Sequence, residues 1–393
     1  MDYERPLQSE LLTLLSRPTP VIQVLIGPRQ VGKTTIARRI EKSIGIPAIY
    51  ATADSPVPLD AAWIETQWRR AVAEGTASGA PVLLILDEVQ KVRGWSEILK
   101  LLWDNRSAAS DIRVMVLGSS ALLMQEGLSE SLAGRFFLHR CSHWGYQECR
   151  DAFGWSLEQW IYFGGYPGAA SFADDETSWK RYIVDSLIET VLARDVLQMS
   201  KITKPVLLRH LFALAATLPA QSISYTKMLG QLHDAGNTTT LAHYLKLLES
   251  AFLISGLELF SRGQQRKRGS SPKLVLWNNA LVNALSTKSF ADSLGDTIWW
   301  GRLVENAVGA YLCNLNSVEY MVTYWRDGDH EVDFVVTRGR DVWAIEVKSG
   351  RSGKSSGLAR FRSRYPDARP LLVGGQGIPL PEFFGRDASL WFV

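Results

Sequence analysis

The stretch Gly27-Pro28-Arg29-Gln30-Val31-Gly32-Lys33-Thr34 lies directly behind the apolar run Val21-Ile22-Gln23-Val24-Leu25-Ile26. No other segment constrains the chain as tightly. Glycine, four free positions, glycine, lysine and a hydroxyl residue require a strand, a tight turn and a helix in that order. The turn aims backbone N–H groups at one point, and the helix adds its positive N-terminal end, which together make a cradle for phosphate. Lys33 can reach the β- and γ-phosphates, and the Thr34 hydroxyl can ligate Mg²⁺. The helical run Thr35-Ile36-Ala37-Arg38-Arg39-Ile40 follows as required. Nucleotide contacts are therefore expected from Gly27, Pro28, Arg29, Gln30, Val31, Gly32, Lys33, Thr34 and Thr35.

Such a site needs a second apolar strand that ends in carboxylates. Val82-Leu83-Leu84-Ile85-Leu86 is continuous and apolar, as a strand covered on both faces must be, and it runs into Asp87-Glu88. Asp87 can hold the Mg²⁺ shell, and Glu88 can polarise the attacking water. The chain has no Asn-Lys-x-Asp motif for reading guanine, so ATP is the expected nucleotide and its hydrolysis the expected reaction. A third strand, Ile112 to Leu117, ends in Gly118-Ser119-Ser120. There Ser119 or Ser120 either senses the γ-phosphate or caps the next helix. Arg135, in Leu132-Ala133-Gly134-Arg135, can neutralise charge on the γ-phosphoryl group from its own or a neighbouring subunit.

Composition sets the outer limits. The 393 residues are 46% hydrophobic, enough for two or three domains with real cores. No apolar run reaches the roughly 18 residues of a membrane span, and the start, Met1-Asp2-Tyr3-Glu4-Arg5, is unlike a signal peptide. A cytoplasmic protein is expected. Cys141, Cys149 and Cys313 lack metal-ligand spacing and read as reduced thiols. The net charge of +3 is too small to argue for nucleic-acid binding by itself, so any such case rests on local patches.

Strand and helix periods alternate to about residue 150, which predicts a parallel sheet with helices on both faces. Phe163-Gly164-Gly165-Tyr166-Pro167-Gly168 then breaks the pattern, and residues 151–220 read as helical. Over 221–290 a helix capped by Ser224, a Gly236-Asn237 turn, a helix from Thr238 and strands at Phe252–Phe260 and Lys273–Trp277 follow in the order of a winged-helix module. Between the two strands lie Arg262, Arg266, Lys267, Arg268 and Lys273 with no acidic residue. Such a hairpin either grips DNA phosphates or is simply solvated.

Residues 291–393 hold a second candidate site. Glu305 sits near the start of an expected helix, and Glu331-Val332-Asp333-Phe334 alternates like a strand. A turn at Arg338-Gly339-Arg340 leads into Val342-Trp343-Ala344-Ile345-Glu346-Val347-Lys348. Side chains alternate across a strand, so Glu346 and Lys348 share a face and can look toward Asp333. Glu305, Asp333 and Glu346 can hold Mg²⁺, and Lys348 can orient or deprotonate a water for phosphodiester attack. The same residues could equally form a salt bridge.

Taken together the landmarks resemble the prokaryotic AAA-type ATPases that join an N-terminal P-loop domain to a C-terminal restriction-endonuclease-like (PD-(D/E)XK) domain of unknown function. Those landmarks run from Gly27–Thr35 and Asp87-Glu88-Val89-Gln90 through Gly164-Gly165-Tyr166-Pro167 to Glu305-Asn306, Tyr324-Trp325-Arg326, Asp333 and Glu346-Val347-Lys348. The resemblance implies ATP at Lys33 and Thr34, Mg²⁺ at Asp87, catalysis by Glu88, and a nuclease-type site at Glu305, Asp333, Glu346 and Lys348. Many relatives carry an aspartate and a glycine where this chain has Trp277-Asn278-Asn279-Ala280. The expected partners are ATP and DNA, with a protein partner or a second copy of the chain as the other possibilities.

Overall fold

Three apolar runs of the first unit become strands in which every residue is buried: β1 (Ile22–Ile26), β3 (Val82–Asp87) and β4 (Ile112–Gly118). The structure is a computed structural model that describes residues 3–107, 111–119, 124, 127–128, 131–196, 202–232, 237–262, 271–315, 319–350 and 356–393. With β2 (Ala48–Thr52) and β5 (Phe136–Arg140) at the edges, the sheet order is β2-β3-β4-β1-β5, and every neighbour is parallel. Parallel neighbours need crossovers. The helices Lys33–Ser43, Ala61–Ser78 and Trp95–Asp104 supply them. Leu11, Ile36 and Ile40 pack against Leu25, Leu83, Ile85, Met115 and Leu117 in one core. This is a mixed α/β unit with a five-strand parallel sheet, consistent with a P-loop nucleoside-triphosphatase fold. The C-terminal ends of β1, β3 and β4 open on one edge, where such sheets bind ligands.

Chain contacts separate this unit, Met1–Ser142, from a second, His143–Val393. The second unit begins with helices, among them Tyr146–Phe153 and Leu157–Phe163. The Gly164-Gly165 turn that follows is fixed by close approach. A side chain on Gly164, whose φ is +71°, would meet Asn278 Oδ1 at 1.8 Å, and one on Gly165 would meet the Trp144 carbonyl at 2.0 Å. Buried amides fasten this turn to later elements. Asn278 Oδ1 accepts from the N–H groups of Gly165 and Ala280. Asn279 donates to the carbonyls of Ile161 and Leu303, and Asn306 bonds both Leu276 N–H and Leu276 C=O as well as Asn279.

Next come the helix Pro205–Thr217, strand β6 (Gln221–Ser222), the helices Tyr225–Gln231 and Thr238–Ser250, and strands β7 (Ile254–Leu257) and β8 (Lys273–Leu276). The three strands form an antiparallel sheet with β8 in the middle. Ser224 does cap its helix, accepting from Lys227 N–H at 3.2 Å. Leu241, Tyr244, Leu245 and Leu248 are buried on one face of the second helix, as their spacing requires.

The chain closes with the helix Thr297–Cys313, strands β9 (Tyr320–Asp327), β10 (His330–Arg338) and β11 (Asp341–Lys348), the helix Ser356–Arg364 and strand β12 (Arg369–Gly374). Strands β9, β10 and β11 are antiparallel, and β12 joins β11 in parallel. Gly339 takes φ +59° in the two-residue turn between β10 and β11, a conformation glycine adopts without penalty. Gly309 lets the Thr297–Cys313 helix press against Phe334 of β10 and Val275 of β8, since an added Cβ would lie 2.9 Å from each. Among the described residues no helix is long and apolar enough to cross a membrane.

Candidate nucleotide site and a C-terminal acidic cleft

The two cradle glycines have different causes. Gly32 takes φ +98°, where a side chain is strained. Gly27 is needed because a Cβ there would sit 2.1 Å from the carbonyl oxygen of Cys141, just past the end of β5. Val31 is anchored in the core, which pins the middle of the loop. Thr34 and Thr35 are exposed at the first turn of the following helix. The Lys33 ammonium folds back over the loop and donates to the carbonyls of Gly27 at 2.8 Å and Pro28 at 2.6 Å. Burial lowers its pKa, and the charges of Cys141, Glu88 and Asp87 offset only part of that. A bound phosphate would supply the missing counter-charge.

Asp87 stands at the end of β3 as expected. Its Oδ2 accepts from Thr34 Oγ1 at 2.8 Å and from Tyr50 Oη at 2.5 Å, while Oδ1 accepts from Glu88 N–H at 2.9 Å. A hydroxyl and a carboxylate that converge beside a phosphate cradle form the donor set Mg²⁺ takes with phosphate oxygens and water. The residues fit that ion. Glu88 follows in the left-handed region at φ +55°, a conformation that costs about 1 kcal/mol for a residue with a side chain. Its Oε2 accepts from Gln90 Nε2 at 2.7 Å and from Ser119 Oγ at 3.2 Å. Ser119 therefore holds the glutamate; Ser120 lies outside the described residues.

Arg135 is elsewhere. Its carbonyl accepts from Ile22 N–H, and β5 starts just after it alongside Ile22. That is the N-terminal edge of β1, whereas the cradle follows the C-terminal edge. Its guanidinium is paired with Asp104 at 2.7 and 2.9 Å. The length of β1 thus separates Arg135 from the cradle of its own chain.

In the second unit the expected residues do converge. The β10–β11 register pairs Phe334 with Ile345, so Asp333 lies across from Glu346. Asp333 Oδ2 accepts from Val347 N–H at 2.7 Å, and Lys348 Nζ donates to Glu346 Oε1 at 2.7 Å. Glu305 reaches in from its helix. Together with Arg326 and Glu331 these residues line a cleft of about 530 Å³. Burial pulls the Lys348 pKa down, but the hydrogen bond and charge of Glu346 outweigh it and raise it. Lys348 is therefore a cation suited to orienting a group rather than to removing a proton.

Lys273 departs from its expected place. It starts β8, where its strand was expected to start, but its side chain is fully buried instead of joining the basic hairpin that was to grip phosphates or be solvated. Its Nζ lies 2.5 Å from Glu305, 3.1 Å from Glu331 and 3.8 Å from Asp333, above the Phe334 ring. Burial alone would lower its pKa; the charges of Glu305, Asp333 and Glu331 raise it instead. Of the other loop residues, Arg262 pairs with Asp367 at 3.5 Å, and Arg266, Lys267 and Arg268 lie outside the described residues. Sequence reasoning also missed Tyr50, Gln90 and the part played by Glu331. Gln90 carried a local signal through its place two residues after Glu88, and Glu331 through its place two residues before Asp333 on one strand; Tyr50 carried none.

Comparison with known proteins agrees with this division. Residues 19–149 match the family described as an AAA domain. Residues 154–292 match a domain of unknown function (DUF8612), and residues 300–378 match another (DUF4143). Among curated proteins the chain is similar to an uncharacterized protein of Mycobacterium bovis and to one of Mycobacterium tuberculosis. Each is 27% identical over 382 residues, covering 92% of this chain and 80% of the relative. Across its parallel-sheet unit, then, the chain carries the match to an AAA-type, nucleotide-binding ATPase domain.

Proposed function

We propose that this protein binds Mg²⁺ and ATP and hydrolyses the nucleotide, and that turnover controls how its second unit engages DNA. The observation that carries the first part is the convergence of Lys33, Thr34, Asp87 and Glu88 on one sheet edge. Lys33 and the loop N–H groups hold the β- and γ-phosphates, Thr34 and Asp87 hold the ion, and Glu88 faces the water. When bound there, Mg²⁺ would screen charge on the phosphate oxygens. Glu88 takes a proton as the water oxygen bonds to the γ-phosphorus, and the bond from that phosphorus to the bridging oxygen breaks, leaving ADP and phosphate. Gln90 and Ser119 keep Glu88 turned aside until a γ-phosphate competes for Ser119. Arg135 can take part only from a neighbouring copy.

Support for a DNA role is the element order in 205–276: helix, strand, two helices, then two antiparallel strands, the order of a winged helix. The order helix, three strands, helix, strand in 297–374, with Asp333, Glu346 and Lys348 in register, supports a restriction-endonuclease-like domain. A second reading, a nucleotide-gated DNA- or protein-binding switch with an inactive nuclease-like domain, is favoured by one observation: an ammonium already sits among the carboxylates.

Steady-state ATPase assays test the first part. Glu88→Gln should keep ATP binding while turnover falls about 10²–10⁴-fold, the range for losing a positioned base. Unchanged turnover would remove Glu88 from the mechanism. Salt-sensitive binding to duplex DNA tests the second part.

A further inference from the structure

We propose that the Lys273 ammonium is a built-in cation of the Glu305–Glu331–Asp333 cluster, holding the place a divalent metal would take and clasping the β6-β8-β7 sheet to the C-terminal domain. This goes beyond ATP hydrolysis and does not depend on it. The three acids each offer an oxygen within 4.8 Å of the others, a spacing that suits a metal by itself. The centre of the group is nevertheless taken. Mg²⁺ requires oxygens at about 2.0–2.1 Å in octahedral array and retains several waters. An ammonium 2.5 Å from Glu305 and 3.1 Å from Glu331 uses the same oxygens and repels a second cation. The metal expected at Glu305, Asp333 and Glu346 therefore does not fit the Glu305 and Asp333 oxygens as they are built, since the ammonium lies against both.

Withdrawal of Lys273 is opposed by the backbone around it. Strand β8 is paired on both edges, with Lys273 opposite Ser222 of β6 and Leu257 of β7. The Pro272 carbonyl accepts from Ile223 N–H, and the Ser271 carbonyl accepts from the Tyr324 hydroxyl. The aliphatic stem is wholly buried and the head rests over Phe334, 5.0 Å from the ring centre. A lysine so held can leave the acids only if the three-stranded sheet moves with it. The contact joins two domains of the second unit through four side chains, Lys273, Glu305, Glu331 and Asp333.

Mn²⁺ binding to the nucleotide-free full chain, counted by electron paramagnetic resonance, tests the proposal. Lys273→Met keeps an unbranched side chain, one atom shorter, and removes its charge. That variant should gain about one Mn²⁺ per chain over wild type, and adding Glu305→Gln or Asp333→Asn should abolish the gain. Its melting temperature should rise more with Mn²⁺ than that of wild type. Absence of any gain in folded Lys273→Met overturns the proposal. A second comparison holds even if that variant does not fold: Glu305→Gln in the otherwise wild-type chain should leave the Mn²⁺ count unchanged. A count that falls in Glu305→Gln would show a metal already bound at the cluster and would also overturn the proposal. Any Mn²⁺ taken up through Thr34 and Asp87 is common to all these variants, so failure here is distinct from failure of the ATPase reading.

Discussion

Tyr50 is the residue whose role is most specific and least visible beforehand. It lies on β2, one strand away from the end of β3, and reaches Asp87 with its hydroxyl at 2.5 Å. The Arg38 guanidinium lies 3.3 Å over its ring, so the phenol is held from above and at its tip. Burial, then the hydrogen bond and charge of Asp87, raise its pKa, so it remains a protonated donor through the whole neutral range. A donor on Asp87 Oδ2 fixes which way that carboxylate faces and leaves it correctly turned toward Thr34. A hydrogen bond to a charged group contributes about 1.5–3 kcal/mol. Tyr50→Phe should thus raise the Mg²⁺ concentration needed for half-maximal ATP turnover about tenfold and lower the melting temperature by several degrees, since the ring still packs but the hydrogen bond is lost. An unchanged Mg²⁺ dependence would reduce Tyr50 to a packing residue. Nothing in the sequence near Tyr50 marks it, because its partner lies 37 positions away. Lys33, Thr34, Asp87 and Glu88 were legible because each stands beside the strand or loop that places it.

At the level of elements, the second unit is joined by buried amides rather than by apolar contact alone. Asn306, fully buried on the Thr297–Cys313 helix, satisfies both backbone groups of Leu276 on β8 and holds Asn279. Replacing it by Leu would leave a buried N–H and a buried carbonyl without partners, at about 1–3 kcal/mol each. Asn306→Leu should therefore lower the unfolding free energy by roughly 3 kcal/mol in urea titration. A loss below about 1 kcal/mol would mean that water replaces the amide. The Trp277-Asn278-Asn279-Ala280 segment, read in sequence as a departure from relatives, is part of this knot, and Gly164-Gly165 is its other half. Strands β1, β3, β4 and β8 were legible to within one residue at each end, and β7 to within three, from apolar runs, since a covered strand has no other composition. Lys273 was not. Its charge placed it with the basic loop, and only the pairing of β8 with β6 and β7 turns it inward. Local pattern reports the strand; which lysine faces acids contributed by a different sheet and a later helix is set by tertiary packing.

For the whole chain, the two units have separate cores: Leu25, Ile36, Leu83 and Met115 belong to one, and Trp325, Val332, Val335 and Phe361 to another. Every side chain assigned to nucleotide lies between Gly27 and Ser119, and β5 completes the sheet by Arg140. Cys141, which lies under Gly27, still belongs to the first unit. A fragment of residues 1–142 should hence fold and bind Mg·ATP without the rest. Ligand at 100 times its Kd stabilises the folded state by about 2.7 kcal/mol, which for a unit of this size shifts melting upward by roughly 8 °C. Differential scanning calorimetry of residues 1–142 should show that shift, and Lys33→Met should erase it by removing the cation that holds the phosphates. Residues 143–393 should melt cooperatively at a midpoint indifferent to ATP. If the full chain responds to ATP and the folded 1–142 fragment does not, the nucleotide site needs residues beyond Ser142, and the assignment of nucleotide binding to the parallel-sheet unit alone fails. If the 143–393 fragment shifts with ATP, a second nucleotide site exists outside the cradle, and the control of the second unit would have to be traced to that site instead.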